Sequence, residues 1–300
     1  MLLILGFVFL VLSQIAPFIP YMIHTFQVMH ADPSLAKGPP PRPHVGDFEM
    51  FLPTAILIGI VLLWVGLFER RGPSAIGFNG NGIWRFLRGY LIGCAFLIVV
   101  VCGLWGMGVY QVEGPGAWTT PTLAVLTPIL IYAGLFIIQG SSEEVLMRGW
   151  IMQTVASRHG ILFAVILNSL AFGALHLGNI KPSPAMWAGV SNVALFGIFI
   201  SLYACRDRSL WGVCGWHAAW NWLLGLGFGL EVSGLKMNAA PLIIDLKDTP
   251  NAPWWLSGGE WGPEASVFTT AVLLAGIIFL IWKGALKPGA SFAAPQVEAS

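Results

Sequence analysis

"PTLAVLTPILIYAGLFIIQGSSEEVLMRGW", residues 121–150, carries no charged side chain up to Gly140 and then places Glu143, Glu144 and Arg148 within two helical turns. A bilayer core is crossed by about 20 apolar residues in a helix, so the first part reads as a membrane span. Helical character continues through the acidic motif to about Arg158, further than one crossing requires. Charged groups at mid-bilayer cost on the order of 2.5 to 3.5 kcal/mol each, so they face a protein interior or a water-filled cavity. This one stretch predicts a polytopic helical membrane protein with a polar site inside it.

Composition agrees. The chain has 300 residues, 56% hydrophobic and only 10% charged, whereas a soluble domain carries about a quarter charged residues. Mean hydropathy is +0.76. Net charge is +1 and no run of lysine or arginine occurs, which excludes a nucleic-acid footprint. The expected partners are membrane lipid and a peptide or membrane protein. Cys94, Cys102, Cys205 and Cys214 form no C-x-x-C pair and read as small buried apolar residues.

Working outward, apolar runs predict eight spans, near 2–26, 50–68, 87–109, 123–143, 160–178, 185–204, 210–230 and 267–284. The fold class expected is all-α, a polytopic bundle of about eight transmembrane helices. Residues 1–120 hold three spans and a Pro-rich exterior loop, 121–230 form the core, 231–287 hold an exterior loop and the last span, and 288–300 form a disordered tail. The first run lacks the basic region and cleavage site of a signal peptide and is expected to stay as a membrane helix. "GIWRFLRGY", residues 82–90, has the spacing of a helix lying along the inner surface. The tryptophan-rich "PWWLSGGEWGPEAS", 253–266, reads either as an interface anchor or as a substrate-facing cap. Basic residues concentrate on the connectors after spans two, four and six and in the tail, which places both termini in the cytoplasm by the positive-inside rule.

Two further apolar segments carry strongly polar groups: "LAFGALHLGN", 170–179, with Phe172 and His176, and "CGWHAAWNW", 214–222, with His217 and Asn221. Glu144 and Arg148, at i and i+4 with the acid first, suit an ion pair. Glu143 is rotated by about 100° and escapes that pair. If the fourth and fifth spans turn at Arg158-His159-Gly160, Glu143 and His176 each lie about 25 Å from the turn, at one level. A carboxylate with two imidazoles is either a metal-ligand set of Glu143, His176 and His217, with zinc the natural ion, or a general base with polarising partners. His217 and Asn221 share a helix face and offer donors to a developing oxyanion. These are parts of a hydrolytic site that activates water, and no G-x-S-x-G, H-E-x-x-H or Walker motif competes with it. The other histidines, His24, His30, His44 and His159, read as loop or interface residues.

The ordered set E-E-x-x-x-R at Glu143, Glu144 and Arg148, F-x-x-x-H at Phe172 and His176, and H-x-x-x-N at His217 and Asn221 resembles the CPBP family, the CAAX prenyl proteases and bacteriocin-processing enzymes formerly grouped under Abi. The resemblance covers about residues 120–230. It implies an intramembrane endopeptidase in which Glu143 and His176 activate water, His217 and Asn221 form the oxyanion site, and Glu144 and Arg148 support them. The family is called a metalloprotease family, and a metal-free glutamate mechanism has also been argued for it. The resemblance points to a bacterial protein of the inner, or plasma, membrane. Two competing expectations are a proton-coupled transporter, since membrane Glu and His also form relays, and a non-catalytic adaptor or immunity protein that retains the fold.

Overall fold

The computed structural model describes residues 2–15 and 48–286. It is dominated by helices: α1 (Leu2–Ile15), α2 (Phe48–Leu63, prolonged by a widened turn, Trp64–Phe68) and α3 (Gly82–Gly106). Helix α4 (Leu123–Glu144) runs through a widened stretch, Val145–Ile151, into α5 (Met152–His159). Then follow α6 (Ile161–Ala174), α7 (Pro184–Asp207), α8 (Trp211–Trp222, widened over Leu223–Gly227), the single turn α9 (Trp254–Ser257) and α10 (Val267–Trp282). Each of the eight expected segments thus contains a helix, some of them shorter than expected.

Length separates them. Among the described residues four helices are long and apolar enough to cross a membrane, Phe51–Phe68, Gly82–Gly106, Leu123–His159 and Pro184–Asp207. Helices α1, α6 and α10 are apolar but shorter. Eight crossings are therefore not supported by length alone. One reason is visible in α6, which stops at Ala174 instead of running to 178, because the chain turns there to present His176. The expected continuation of the first span to 26, the Pro-rich loop, the tail 288–300 and His24, His30 and His44 lie outside the described residues.

Beside the helical bundle, β1 (Tyr110–Pro115) pairs antiparallel with β2 (Ile244–Asp248), with a register shift between Val112 and Gly114. This ribbon ties the connector after α3 to the one before α10, a pairing across more than a hundred residues that no local pattern announces. Residues 82–90, expected along the surface, are the first turns of α3 itself. The cysteines divide: Cys205 and Cys214 are buried as expected, while Cys102 is exposed.

Small residues set the helix spacing that builds the site. Gly89 and Gly93, four apart on α3, lie against the backbone of α8; a Cβ at Gly89 would sit 1.9 Å from the Gly212 carbonyl oxygen and one at Gly93 2.5 Å from that of Trp216. Glycine at this spacing lets two helix backbones touch, the small-xxx-small mode of membrane packing. Gly140 does the same for α4, where a Cβ would stand 3.0 Å from the Ala218 nitrogen. That approach brings the turn carrying Glu143 and Glu144 directly onto His217. On the other side Gly173 of α6 meets Val190 and Ala194 of α7, and Gly197 of α7 meets Ser169 of α6.

Candidate active site

The centre of the bundle holds a fully buried ion pair. Arg148 Nη1 donates to Glu144 Oε1 at 3.1 Å, and both side chains are 0% exposed. The guanidinium also donates to the Gly197 carbonyl (3.3 Å) and Ser201 Oγ (3.4 Å) and lies 4.4 Å from the centre of the Phe172 ring. Burying a pair of charges is tolerated when further hydrogen bonds complete it. Phe172 is therefore more than packing: it forms a cation–π floor under Arg148 and meets His176 edge-on at 4.9 Å.

The spacing argument separated the two glutamates correctly, and the structure adds a link between them. His217 Nδ1 lies 2.9 Å from Glu144 Oε1, and its Nε2 lies 3.7 Å from Glu143 Oε2. The imidazole thus bridges the supporting carboxylate and the free one. Its ring is boxed by Phe196 at 5.1 Å. Such a fixed ring, with one nitrogen anchored and the other directed at the site, is the arrangement by which a carboxylate orients a catalytic histidine.

His176 stands on the turn just past α6, with Nδ1 2.9 Å from the Phe172 carbonyl oxygen. A carbonyl only accepts, so Nδ1 carries a proton, and in the neutral imidazole Nε2 is then the nitrogen with the lone pair. Glu143, His176, His217 and Asn221 all line one cavity of about 520 Å³. Apolar walls of the same cavity come from Leu10 of α1, Phe51 and Leu57 of α2, Phe136 of α4 and Leu273 of α10.

One site residue escaped sequence reasoning. Gln139 Nε2 donates to Glu143 Oε1 at 2.7 Å, and Gln139 Oε1 accepts from Asn221 Nδ2 at 2.9 Å. The amide joins the base candidate to the oxyanion candidate. Its signal was available, because Gln139 precedes Glu143 by four residues, the same spacing that pairs Glu144 with Arg148. Glu143 Oε2 makes no hydrogen bond within the protein, which leaves it able to accept one from a water or a substrate.

As these side chains stand, among the described residues no three His, Cys, Asp or Glu groups are placed to hold a metal ion. Glu143 and His217 approach each other, while the hydrogen bond and ring contacts of His176 are to Phe172.

In the tryptophan-rich connector Trp254 and Trp255 are about half exposed, whereas Trp261 is 0% exposed and packs against Gly189 as core, away from the cavity. His159 ends α5 at the surface.

Residues 125–223 match the family model described as Type II CAAX prenyl endopeptidase Rce1-like. The match takes in all three motifs. No curated protein and no solved structure matches the chain.

Proposed function

We propose that this chain, which through residues 125–223 belongs to the CPBP/CAAX-protease family, is an intramembrane endopeptidase that cleaves a peptide bond of a membrane-associated or membrane-inserted substrate. The observation that carries the reading is the meeting of Glu143, His176, His217 and Asn221, from three separate segments, on one cavity with apolar walls. A site of that kind combines a base and oxyanion donors with room for an apolar segment.

In this reading a water is held between Glu143 Oε2 and His176 Nε2. Glu143 takes its proton as the oxygen attacks the scissile carbonyl carbon. The negative charge that develops on the carbonyl oxygen is met by the Asn221 amide and by His217 Nε2–H, the imidazole carrying both protons between the two carboxylates. The proton on Glu143 then passes to the leaving amine as the C–N bond breaks, which returns the carboxylate. Glu144 and Arg148 do not touch substrate; they hold the His217 ring. Donors aimed at a developing oxyanion act most strongly where water is excluded, and the burial of His217 and Asn221 supplies that condition.

The concentration of basic residues on alternate connectors supports a multi-pass protein with both termini in the cytoplasm, and the resemblance to bacterial members of the family supports the plasma membrane as its place. The test is a comparison of membrane-peptide products, by mass spectrometry, from proteoliposomes holding the wild type and the Glu143→Gln variant. Products absent from the variant and present with the wild type support the peptidase. Identical products overturn it, and solute flux that depends on Glu143 without cleavage would instead favour the transporter. Full biological function in a His176→Ala, His217→Ala double variant would favour the adaptor. Elemental analysis combined with turnover after chelation decides whether zinc joins Glu143, His176 and His217.

A further inference from the structure

A carboxylate outside the three motifs that is held by several partners and lines the same cavity is Glu264, in the single turn Pro263–Ala265 that precedes α10. Trp220 Nε1 donates to its Oε1 at 2.8 Å, and Ser233 donates to its Oε2 through both its hydroxyl, at 2.8 Å, and its backbone N–H. The backbone at the same position is held as well, because Asn192 Nδ2 donates to the Glu264 carbonyl at 2.8 Å and to the Ser266 carbonyl at 3.0 Å. Each contact reaches a piece of the molecule distant in sequence.

Two of those pieces carry the site. Trp220 lies on α8 between His217 and Asn221, and it stacks on Trp216 at 5.0 Å. Ser233 holds the other half: its carbonyl accepts from Asn179 Nδ2 at 2.9 Å, and Asn179 closes the turn that begins with His176, its N–H bonded to the His176 carbonyl at 3.1 Å. Ser233 has φ +49 and Gly234 φ +85, the left-handed pair of a tight two-residue turn that closes the Val232–Leu235 bridge. The Glu264 carboxylate, by accepting two bonds from Ser233, holds that turn in place. Glu264, Ser233, Asn179, Trp220 and Asn192 all line the cavity that Glu143 lines.

We propose that Glu264 is a positioning residue: its carboxylate fastens the 231–266 connector to α8 and to the His176 turn at once, and so sets the spacing between the water-activating pair and the oxyanion-binding pair. The catalytic part of this rests on the peptidase reading above. Charge-assisted bonds to three donors suit the task, since they are shorter and about twice as strong as neutral ones. A misplacement of about 1 Å in such a site costs about 100-fold in rate.

The test pairs kinetics with a readout that needs no turnover. In Glu264→Ala, kcat for an apolar peptide should fall about 10- to 100-fold while KM changes little, because the apolar walls that bind substrate are untouched. Trp220→Phe, which removes the indole N–H together with part of the ring stacked on Trp216, should fall less, and the loss in the double variant should be smaller than the product of the two single losses, as expected of residues acting through one contact. Nitrogen-15 signals of the His176 and His217 rings should move in Glu264→Ala while that of His159 stays. Glu264→Gln, which keeps the volume and part of the acceptor capacity, should lie between and serves if the alanine variant does not fold. Unmoved histidine signals, kcat within twofold of wild type, or losses that multiply in the double variant overturn the proposal. An inactive wild type overturns the peptidase reading instead, and the histidine signals still decide whether Glu264 acts as the clamp.

Discussion

The segment 125–223 and the connector 231–266 both reach the same cavity, but they do so by different physics. In the first, the decisive contacts repeat helical spacing: Gln139 with Glu143, Glu144 with Arg148, and Phe172 with His176, each four residues apart. Close approaches at Gly140, between α4 and α8, and at Gly173 and Gly197, between α6 and α7, then fix how those helices pack. In the connector the contacts of Glu264 span 31, 44 and 72 residues, to Ser233, Trp220 and Asn192. The comparison teaches that one polar site can be written locally on helices and still depend for its final spacing on a loop held only by long-range hydrogen bonds.

The largest effects should fall within the helical core. Replacing Glu143 by glutamine should lower kcat by about 10² to 10⁴, the range for general acid–base groups, and Asn221→Ala by about 10² to 10³, the range for an oxyanion donor. Peptide cleavage by purified protein measures both, and near-normal turnover in either would move the chemistry away from these residues. Next comes Arg148→Met, which strands the buried Glu144 carboxylate; removal of one partner of a buried pair costs about 3 to 5 kcal/mol, to be read from denaturant unfolding in detergent. If stability is unchanged, the ion pair is not the internal support described above.

Gln139→Leu should have a smaller effect, about a tenfold loss in kcat, since a hydrogen bond to a charged group is worth about 1.5 to 3 kcal/mol. The variant tests whether the amide bridge between Glu143 and Asn221 matters beyond packing, and a leucine variant with wild-type kcat would remove it from the site. The smallest effect lies in the connector. Burial raises the Glu231 carboxyl above its ordinary value, with Lys236 opposing the rise. The folded state therefore holds that proton more tightly than the unfolded chain, and the stability this contributes at acid pH is lost as pH rises past the ordinary carboxylate range. Glu231→Gln should flatten this slope in thermal unfolding between pH 4 and pH 7, and an unaltered slope would show that Glu231 does not set it.

The division between glutamates was legible because it depends only on a rotation of about 100° per residue. The role of Gln139 was legible by the same rule and was missed because an amide in an apolar helix draws less notice than a charge. His217 bonding to Glu144 was not legible: the spacing of either helix is silent about which carboxylate the other helix will meet, and the answer came from Gly140 allowing the close approach. The early end of α6 was hidden for a similar reason. Its apolar run continues through Leu175 and Leu177, so composition alone carries the helix past the turn where His176 stands.

What the sequence by itself determined is the class of the molecule and the identity of its polar groups. A chain 10% charged that still places Glu, Arg and His inside apolar helices must gather them in an interior, because the bilayer gives them no other partner. What only the tertiary structure decided is who partners whom: His217 between two carboxylates, the β1–β2 ribbon, and Glu264 holding Trp220 and Ser233. The physical reason is range. Desolvation and helical periodicity act on each residue or on its neighbours along the chain, whereas hydrogen-bond partners between distant segments are chosen by how closely backbones can approach, and that depends on the whole packing at once.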